Sequence, residues 1–219
     1  MDITPAIFPE NFEQIVDKLF VLEGLCERVQ IDLCDGVMGL EKTWLPYEEK
    51  ELPHGFEYEF DLMVNDWKKY LHRVLALGAR RVIMHIDNWH DVDIEQLLEI
   101  MGKHTDVALG LSVSNNYDVN DFAEKVRFVA LRYARTFIQV MGIRHIGAQG
   151  QPFDDTTESR IRVLHEACPM LEIQVDGSMN KETAFLVKRA GARCAVVGSY
   201  LFKHGDVKKT LEDLKRSVG

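Results

Sequence analysis

The stretches Leu77-Gly78-Ala79-Arg80-Arg81-Val82-Ile83-Met84 and Ala190-Gly191-Ala192-Arg193-Cys194-Ala195-Val196-Val197 read almost alike. In each, a helical pattern stops at a glycine, the residue that most readily takes the left-handed conformation of a helix C-cap. An apolar run of strand character begins a few residues later. Outward from these joints the same alternation fills the chain. Further apolar runs lie at Ile3–Phe8, Val29–Leu33, Phe56–Val64, Val107–Val113, Phe137–Ile143 and Leu171–Val175, beside Arg81–His85 and Cys194–Val197. Most are continuous blocks, as expected of parallel strands buried on both faces. Between them apolar residues recur at helical spacing, as in Phe12, Ile15, Val16 and Leu19, in Trp67, Tyr70, Leu71 and Val74, and in Ala184, Leu186, Val187 and Ala190. Pro46 and Pro53 leave room only for a short helix between the second and third strands. Eight strand–helix units in 219 residues average about 27 residues each, which predicts one α/β domain over residues 1–219, a small (β/α)8 barrel. A doubly wound open sheet competes, but no glycine-rich dinucleotide turn follows the first strand.

Composition narrows the function. Lys and Arg number 26 against 35 Asp and Glu, a net charge of −9, which argues against a nucleic-acid partner because such affinity comes from cations on phosphates. Glu10, Glu13 and Asp17 break any signal-peptide core, and no uncharged run exceeds Val107–Tyr117, too short for a membrane span. Cys26, Cys34, Cys168 and Cys194 are scattered without metal-site spacing, as in reduced cysteines of a cytoplasmic protein.

In a barrel of this kind chemistry sits at the C-terminal strand ends. That rule selects Gln30 and Asp32, Asp61, His85, Ser112 and Ser114, Arg144 and His145, Asp176, and Gly198 and Ser199. Three aspartates ending apolar strands need partners, because a carboxylate in a low-dielectric setting is costly alone. Helix capping or pairing with a basic residue would satisfy each one separately. His85 reads equally as a pocket residue or a satisfied core histidine, while the Glu48-Glu49-Lys50-Glu51 run, His54, His72, His90, His104, His165 and His204 read as solvated.

Several of these segments carry a family pattern. Val29-Gln30-Ile31-Asp32-Leu33-Cys34-Asp35-Gly36 resembles the strand-two signature H-x-D-x-M-D-G of ribulose-phosphate 3-epimerases, and Phe60-Asp61-Leu62-Met63-Val64 is similar to their H-L-M-V on strand three. Ile173-Gln174-Val175-Asp176-Gly177-Ser178-Met179-Asn180-Lys181-Glu182-Thr183 resembles V-D-G-G-V-N-x-E-T, with a serine for one glycine. Ala190-Gly191-Ala192 with Val196-Val197-Gly198-Ser199-Tyr200-Leu201-Phe202 is similar to the strand-eight pattern, and Val140-Met141 with the segment from Gly147 to Phe153 matches strand six more loosely.

The resemblance implies a ribulose-phosphate-binding barrel that inverts the carbon next to the carbonyl of a ketose phosphate. Asp32 and Asp176 match the family's proton-transferring pair. Strands two and seven lie across the barrel from each other, so their end carboxylates can flank a planar enediolate. The family's two histidine metal ligands match Gln30 and Asp61. Asp32, Asp61 and Asp176 could still hold a divalent ion, Mg²⁺ or Mn²⁺ in preference to Zn²⁺. A metal-free site with a cation from Arg144 or His145 is the alternative, and carboxylates without a metal should raise at least one pKa. Gly177, Ser178, Gly198 and Ser199, with Gly147 and Gly150, would seat the phosphate through backbone N–H groups. The expected ligand is a phosphorylated sugar and the expected protein partner a second copy of the chain. Two other readings stand beside this one. A decarboxylase or aldolase-like lyase would need D-x-K-x-x-D on strand three, where Asp61-Leu62-Met63-Val64-Asn65-Asp66 has Met63 for the lysine. A barrel that binds a phosphorylated metabolite without turning it over would account for the lost histidines.

Overall fold

Eight parallel strands close a barrel in sequence order, with β1 hydrogen-bonded to both β2 and β8. They are β1 (Asp2–Ile7), β2 (Arg28–Cys34), β3 (Glu57–Met63), β4 (Arg81–His85), β5 (Ala108–Val113), β6 (Thr136–Met141), β7 (Ile173–Asp176) and β8 (Cys194–Val197). The computed structural model describes residues 1–38, 41–47, 50–147, 150–203 and 205–219. Glu48 and Glu49 of the acidic run, His204, and parts of the second-strand and sixth-strand loops lie outside them.

Helices follow every strand but one. After β1 comes α1 (Phe12–Leu22), after β3 α2 (Trp67–Ala76), after β4 α3 (Asp91–Met101), and after β5 α4 (Val119–Ala130). Then α5 (Thr157–Ala167) follows β6, α6 (Lys181–Ala190) follows β7, and α7 (Ser199–Lys203) and α8 (Val207–Ser217) follow β8. The short helix expected between β2 and β3 is not formed by the described residues. Proline fixes its own φ and disfavours helical conformation in the residue before it, and the segment is tied down in other ways. Asp35 and Lys42 form an isolated antiparallel bridge, and Thr43 Oγ1 donates to the Asp32 carbonyl at 2.9 Å. The two glycine joints behave as their sequences require. Gly78 has φ of 86° after α2 and Gly191 has φ of 123° after α6, values that cost a residue without Cβ little. Several helix starts are capped by side chains, most completely at Asn180, which accepts from Glu182 N at 2.8 Å and Thr183 N at 3.1 Å.

The strands are not apolar on both faces. Ile31, Phe60, Val82, Leu109, Ile138, Val175 and Ala195 point outward into one layer shared with Ile15, Leu71, Leu97, Phe122, Ile161 and Ala184 of the helices. Burying this layer is the main source of stability. The inner face carries Gln30, Glu59, Asp61, Arg81, His85, Ser112, Gln139 and Gln174, all buried. Hydrogen bonds between strands that are not neighbours, such as Gln174 to Glu59 and Gln139 to Asp61, place these side chains inside the barrel.

A small apolar plug of Ile83, Ala108 and Phe137 lies among these side chains. Gly110 makes room for it: a Cβ there would lie 2.5 Å from Phe137 Cζ and 2.9 Å from Ile83 Cγ1. Both neighbours are hemmed in, so overpacking has no relief. Gly110→Val is expected to destabilise the fold by about 2–3 kcal/mol, read from urea denaturation midpoints.

Candidate active site

The mouth is built from three strand ends. Asp32 and Asp61 are register partners on β2 and β3, and Asp176 closes β7, three steps from β2 around the barrel rather than diametrically across it. One carboxylate oxygen from each lies within 4.8 Å of the other two. Protein donors meet all three. Gln30 Nε2 donates to Asp32 Oδ1 and to Asp176 Oδ2, both at 2.8 Å. Gln139 Nε2 donates to Asp61 Oδ2 at 2.8 Å, and His85 Nε2 lies 2.8 Å from Asp61 Oδ1.

Burial and mutual repulsion dominate the electrostatics. Removal from water, then the charges of Asp176 and Asp61, hold the Asp32 carboxyl well above its ordinary range, against the opposing Gln30 hydrogen bond. Asp176 is pushed up to about 7 by burial and by Asp61, with the Gln30 and Gly177 N–H groups working the other way. The repulsion expected of adjacent carboxylates is therefore present. His85 is the neighbouring imidazole. Burial opposes its charged form, but the Asp61 carboxylate outweighs burial and raises its pKa. His85 thus answers the question left open in the sequence: it is buried and satisfied at one nitrogen, and that nitrogen faces the acidic cluster. Its Nδ1 and the Oγ of Ser112, its register partner on β5, find no hydrogen bond among the described residues.

A cavity opens above Asp32 and Asp176. Gly147, Gly150, Gly177, Ser178, Gly198 and Ser199 line it together with both carboxylates, so all six residues expected at a phosphate meet around one space. Met63 and Met141 line it as well, and Ala6 stands where the resembling family has a serine. The turn after β7 is unusual. Gly177 has φ of 107° and Ser178 φ of 56°, the latter a left-handed value that strains a residue with Cβ. Ser178 Oγ donates to the Gln151 carbonyl, which ties this turn to the loop after β6.

Arg144 and His145 do not reach the carboxylates. They line a separate depression with Asp87, Asn88 and Ser114. Arg144 Nε pairs with Asp154 Oδ2 at 3.2 Å, and its side chain is 68% exposed. The loop after β6 carries both outward, so the basic side chain beside the acidic cluster is His85. The residues that sequence reading missed are Glu59, Arg81, Gln139 and Gln174. Two of them carried a signal: Glu59 and Gln174, like Gln30, each precede a mouth aspartate by two positions, the spacing that puts two side chains on one face of a strand.

Fold and mouth together define the class, a (β/α)8 barrel with clustered carboxylates beneath a glycine-rimmed cavity. The chain belongs to the ribulose-phosphate 3-epimerase family, whose model matches residues 2–202. It is 32% identical to ribulose-phosphate 3-epimerase of Candida glabrata, over 99% of this chain and 92% of that protein. It is 28% identical to the cytoplasmic isoform from rice, over 99% of this chain and 93% of that one. Among solved structures a 3-hexulose-6-phosphate synthase superposes with a TM-score of 0.70 at 15% identity, covering 100% of both chains. A 3-keto-L-gulonate-6-phosphate decarboxylase from Vibrio cholerae gives 0.67 at 15% identity, covering 99% of this chain and 96% of that one. No described helix is long and apolar enough to cross a membrane, and the four cysteines are free thiols.

The raised carboxyls make stability depend on pH. Asp176 binds its proton more tightly folded than unfolded, so its contribution is complete below pH 3.8 and is lost as the pH climbs toward about 7. His85, also raised, acts with the same sign. Asp176→Asn should therefore flatten the decline in stability across this range and raise stability at pH 8 by on the order of 2 kcal/mol, measured by denaturant titration at each pH.

Proposed function

We propose that this protein is a ketose-phosphate 3-epimerase, working in the cytoplasm on ribulose 5-phosphate or a close relative. The observation that carries the reading is the Asp32–Asp176 pair, joined through one Gln30 nitrogen and lining the same cavity as the six glycines and serines. The hydrogen on the carbon beside a ketone is acidic enough for a carboxylate to remove when the developing enediolate is stabilised. One aspartate takes that proton and the other returns a proton on the opposite face, which inverts the centre. Inversion requires one acid and one base at the same pH. Burial and repulsion within the cluster support that state, because both carboxyls are held above their ordinary range, Asp176 up to about 7, which favours keeping a proton on one of them.

The phosphate would rest on backbone N–H groups of the loops after β6, β7 and β8. No Lys or Arg is among the described residues that line the cavity, so neutral amides would carry this contact. The Gly177 N–H is engaged by the Asp176 carboxylate, which leaves Ser178, Gly198 and Ser199 as the nearer donors on that side.

Asp32, Asp61 and Asp176 would hold a divalent ion. Their donor set is all oxygen and their charges are concentrated within 4.8 Å, which fits a hard cation such as Mg²⁺ or Mn²⁺ better than Zn²⁺. Bound there, the ion would supply positive charge beside substrate oxygens that become negative. The lyase reading has less support, because the strand-three position that would need a lysine is Met63, an uncharged wall of the cavity.

Incubating the protein with ribulose 5-phosphate in D₂O, with Mg²⁺, Mn²⁺ or Zn²⁺ supplied, should wash deuterium into C3, as read by NMR. Asp32→Asn and Asp176→Asn should each cut that rate below about one-thousandth with the circular dichroism spectrum unchanged. Absence of exchange with every ketose phosphate tried, or full exchange by Asp176→Asn, would sink the assignment.

A further inference from the structure

The orientation of the mouth carboxylates can be followed to the opposite end of the barrel. Arg81 opens β4, its guanidinium lying on the Phe137 ring at 3.7 Å from the centroid and donating through Nε to Glu59. Its Nη2 donates to Glu172 Oε1 at 2.9 Å and to Gln174 Oε1 at 3.1 Å. A guanidinium has five N–H donors and no acceptor, so Gln174 can turn only its oxygen toward it. The Gln174 NH₂ then faces the other way. There its two hydrogens are shared among Glu59 Oε1 at 2.8 Å, Gln139 Oε1 at 2.9 Å and Gln30 Oε1 at 3.2 Å.

That arrangement fixes the next pair. With their oxygens turned in toward Gln174, Gln139 and Gln30 send their NH₂ groups to the mouth, where each finds carboxylate at 2.8 Å. Reversing either amide would set a carbonyl oxygen against carboxylate and bring two NH₂ groups face to face. Gln30, Glu59, Gln139 and Gln174 are all fully buried, so no water repairs such a mismatch. Every link is thus set by the one member that cannot accept a hydrogen bond.

We propose that Arg81, acting through Gln174, is a positioning residue for the Asp32–Asp176 pair: it fixes the facing of three buried glutamines and so keeps amide N–H, not carbonyl oxygen, against the carboxylates. The catalytic consequence rests on the epimerase reading; the hydrogen-bond polarity does not.

Gln174→Glu tests it directly. The shape is kept and Arg81 retains an acceptor, but the inward NH₂ is lost, so Gln30 and Gln139 must reverse. With ribulose 5-phosphate as substrate, kcat for C3 exchange should fall about 100-fold while KM changes less than about 3-fold, a split that general loss of structure would not give. Arg81→Lys, still a donor without an acceptor, should keep kcat within about 10-fold of the parent. Neutron diffraction from deuterated crystals reads the polarity without turnover. It should place deuterium between Gln30 and both carboxylates in the parent, and carbonyl oxygen there in Gln174→Glu. Parental kcat in Gln174→Glu, Arg81→Lys as impaired as Gln174→Glu, or a parent map with the Gln30 oxygen at the mouth would each overturn the proposal. Should Gln174→Glu fail to fold, the parent map alone decides. A parent protein that exchanges no ketose phosphate would defeat the epimerase reading, and the map would still decide the polarity.

Discussion

Like charges gathered in a buried space must be met by donors or they do not stay charged. Asp32, Asp61 and Asp176 form such a cluster, and the interior of the barrel is organised around it. Two glutamine amides and one imidazole face the three carboxylates, and behind the glutamines stand Gln174, Glu59 and Arg81. Removing one partner from such a network leaves another unsatisfied, and that cost exceeds the net worth of the bond that was lost. The cluster therefore constrains residues from the mouth to the far end of β4.

The fold can carry this polar interior because its stability comes from elsewhere. The apolar layer lies between the outer faces of the strands and the surrounding helices, where Phe60, Leu71, Phe122 and Leu164 are wholly or almost wholly buried. Inside, the only apolar cluster of buried residues among those described is Ile83, Ala108 and Phe137. Holding the barrel closed and arranging the mouth are thus assigned to opposite faces of the same strands. A substitution on the outer face is felt as packing; one on the inner face is felt as polarity.

Much of this was legible in the sequence. The glycines at 78 and 191 mark the helix-to-strand joints because only a residue without Cβ takes those φ values cheaply, and such a constraint shows in a single letter. Asp32, Asp61 and Asp176 stood out because charge at the end of an apolar run is conspicuous. Gly177, Ser178, Gly198 and Ser199 stood out through motif spacing, and they line one cavity. What was not legible depends on pairing across the barrel. Gln139 looks like an ordinary strand glutamine until β6 is set across the barrel from β3, and Arg144 looks like a site cation until its loop turns it to Asp154. The segment between β2 and β3 misled for a local reason: its prolines allowed a short helix, but contacts from Thr43 and Lys42 hold it in another path.

The plug beneath the site has a consequence for where protons can travel. Phe137 and Ile83 are apolar, Arg81 keeps its proton at any physiological pH, and the buried glutamine amides neither take up nor release one. Glu59, the carboxylate between them, is hydrogen-bonded to Gln174 and Arg81, so no relay through these residues alone carries a proton from the mouth carboxylates to the far side of the barrel. Along this route the mouth carboxylates are left to trade protons through the cavity above them. A ligand seated in that cavity would cover them, so a proton lifted from it would trade with bulk water only as fast as the ligand leaves.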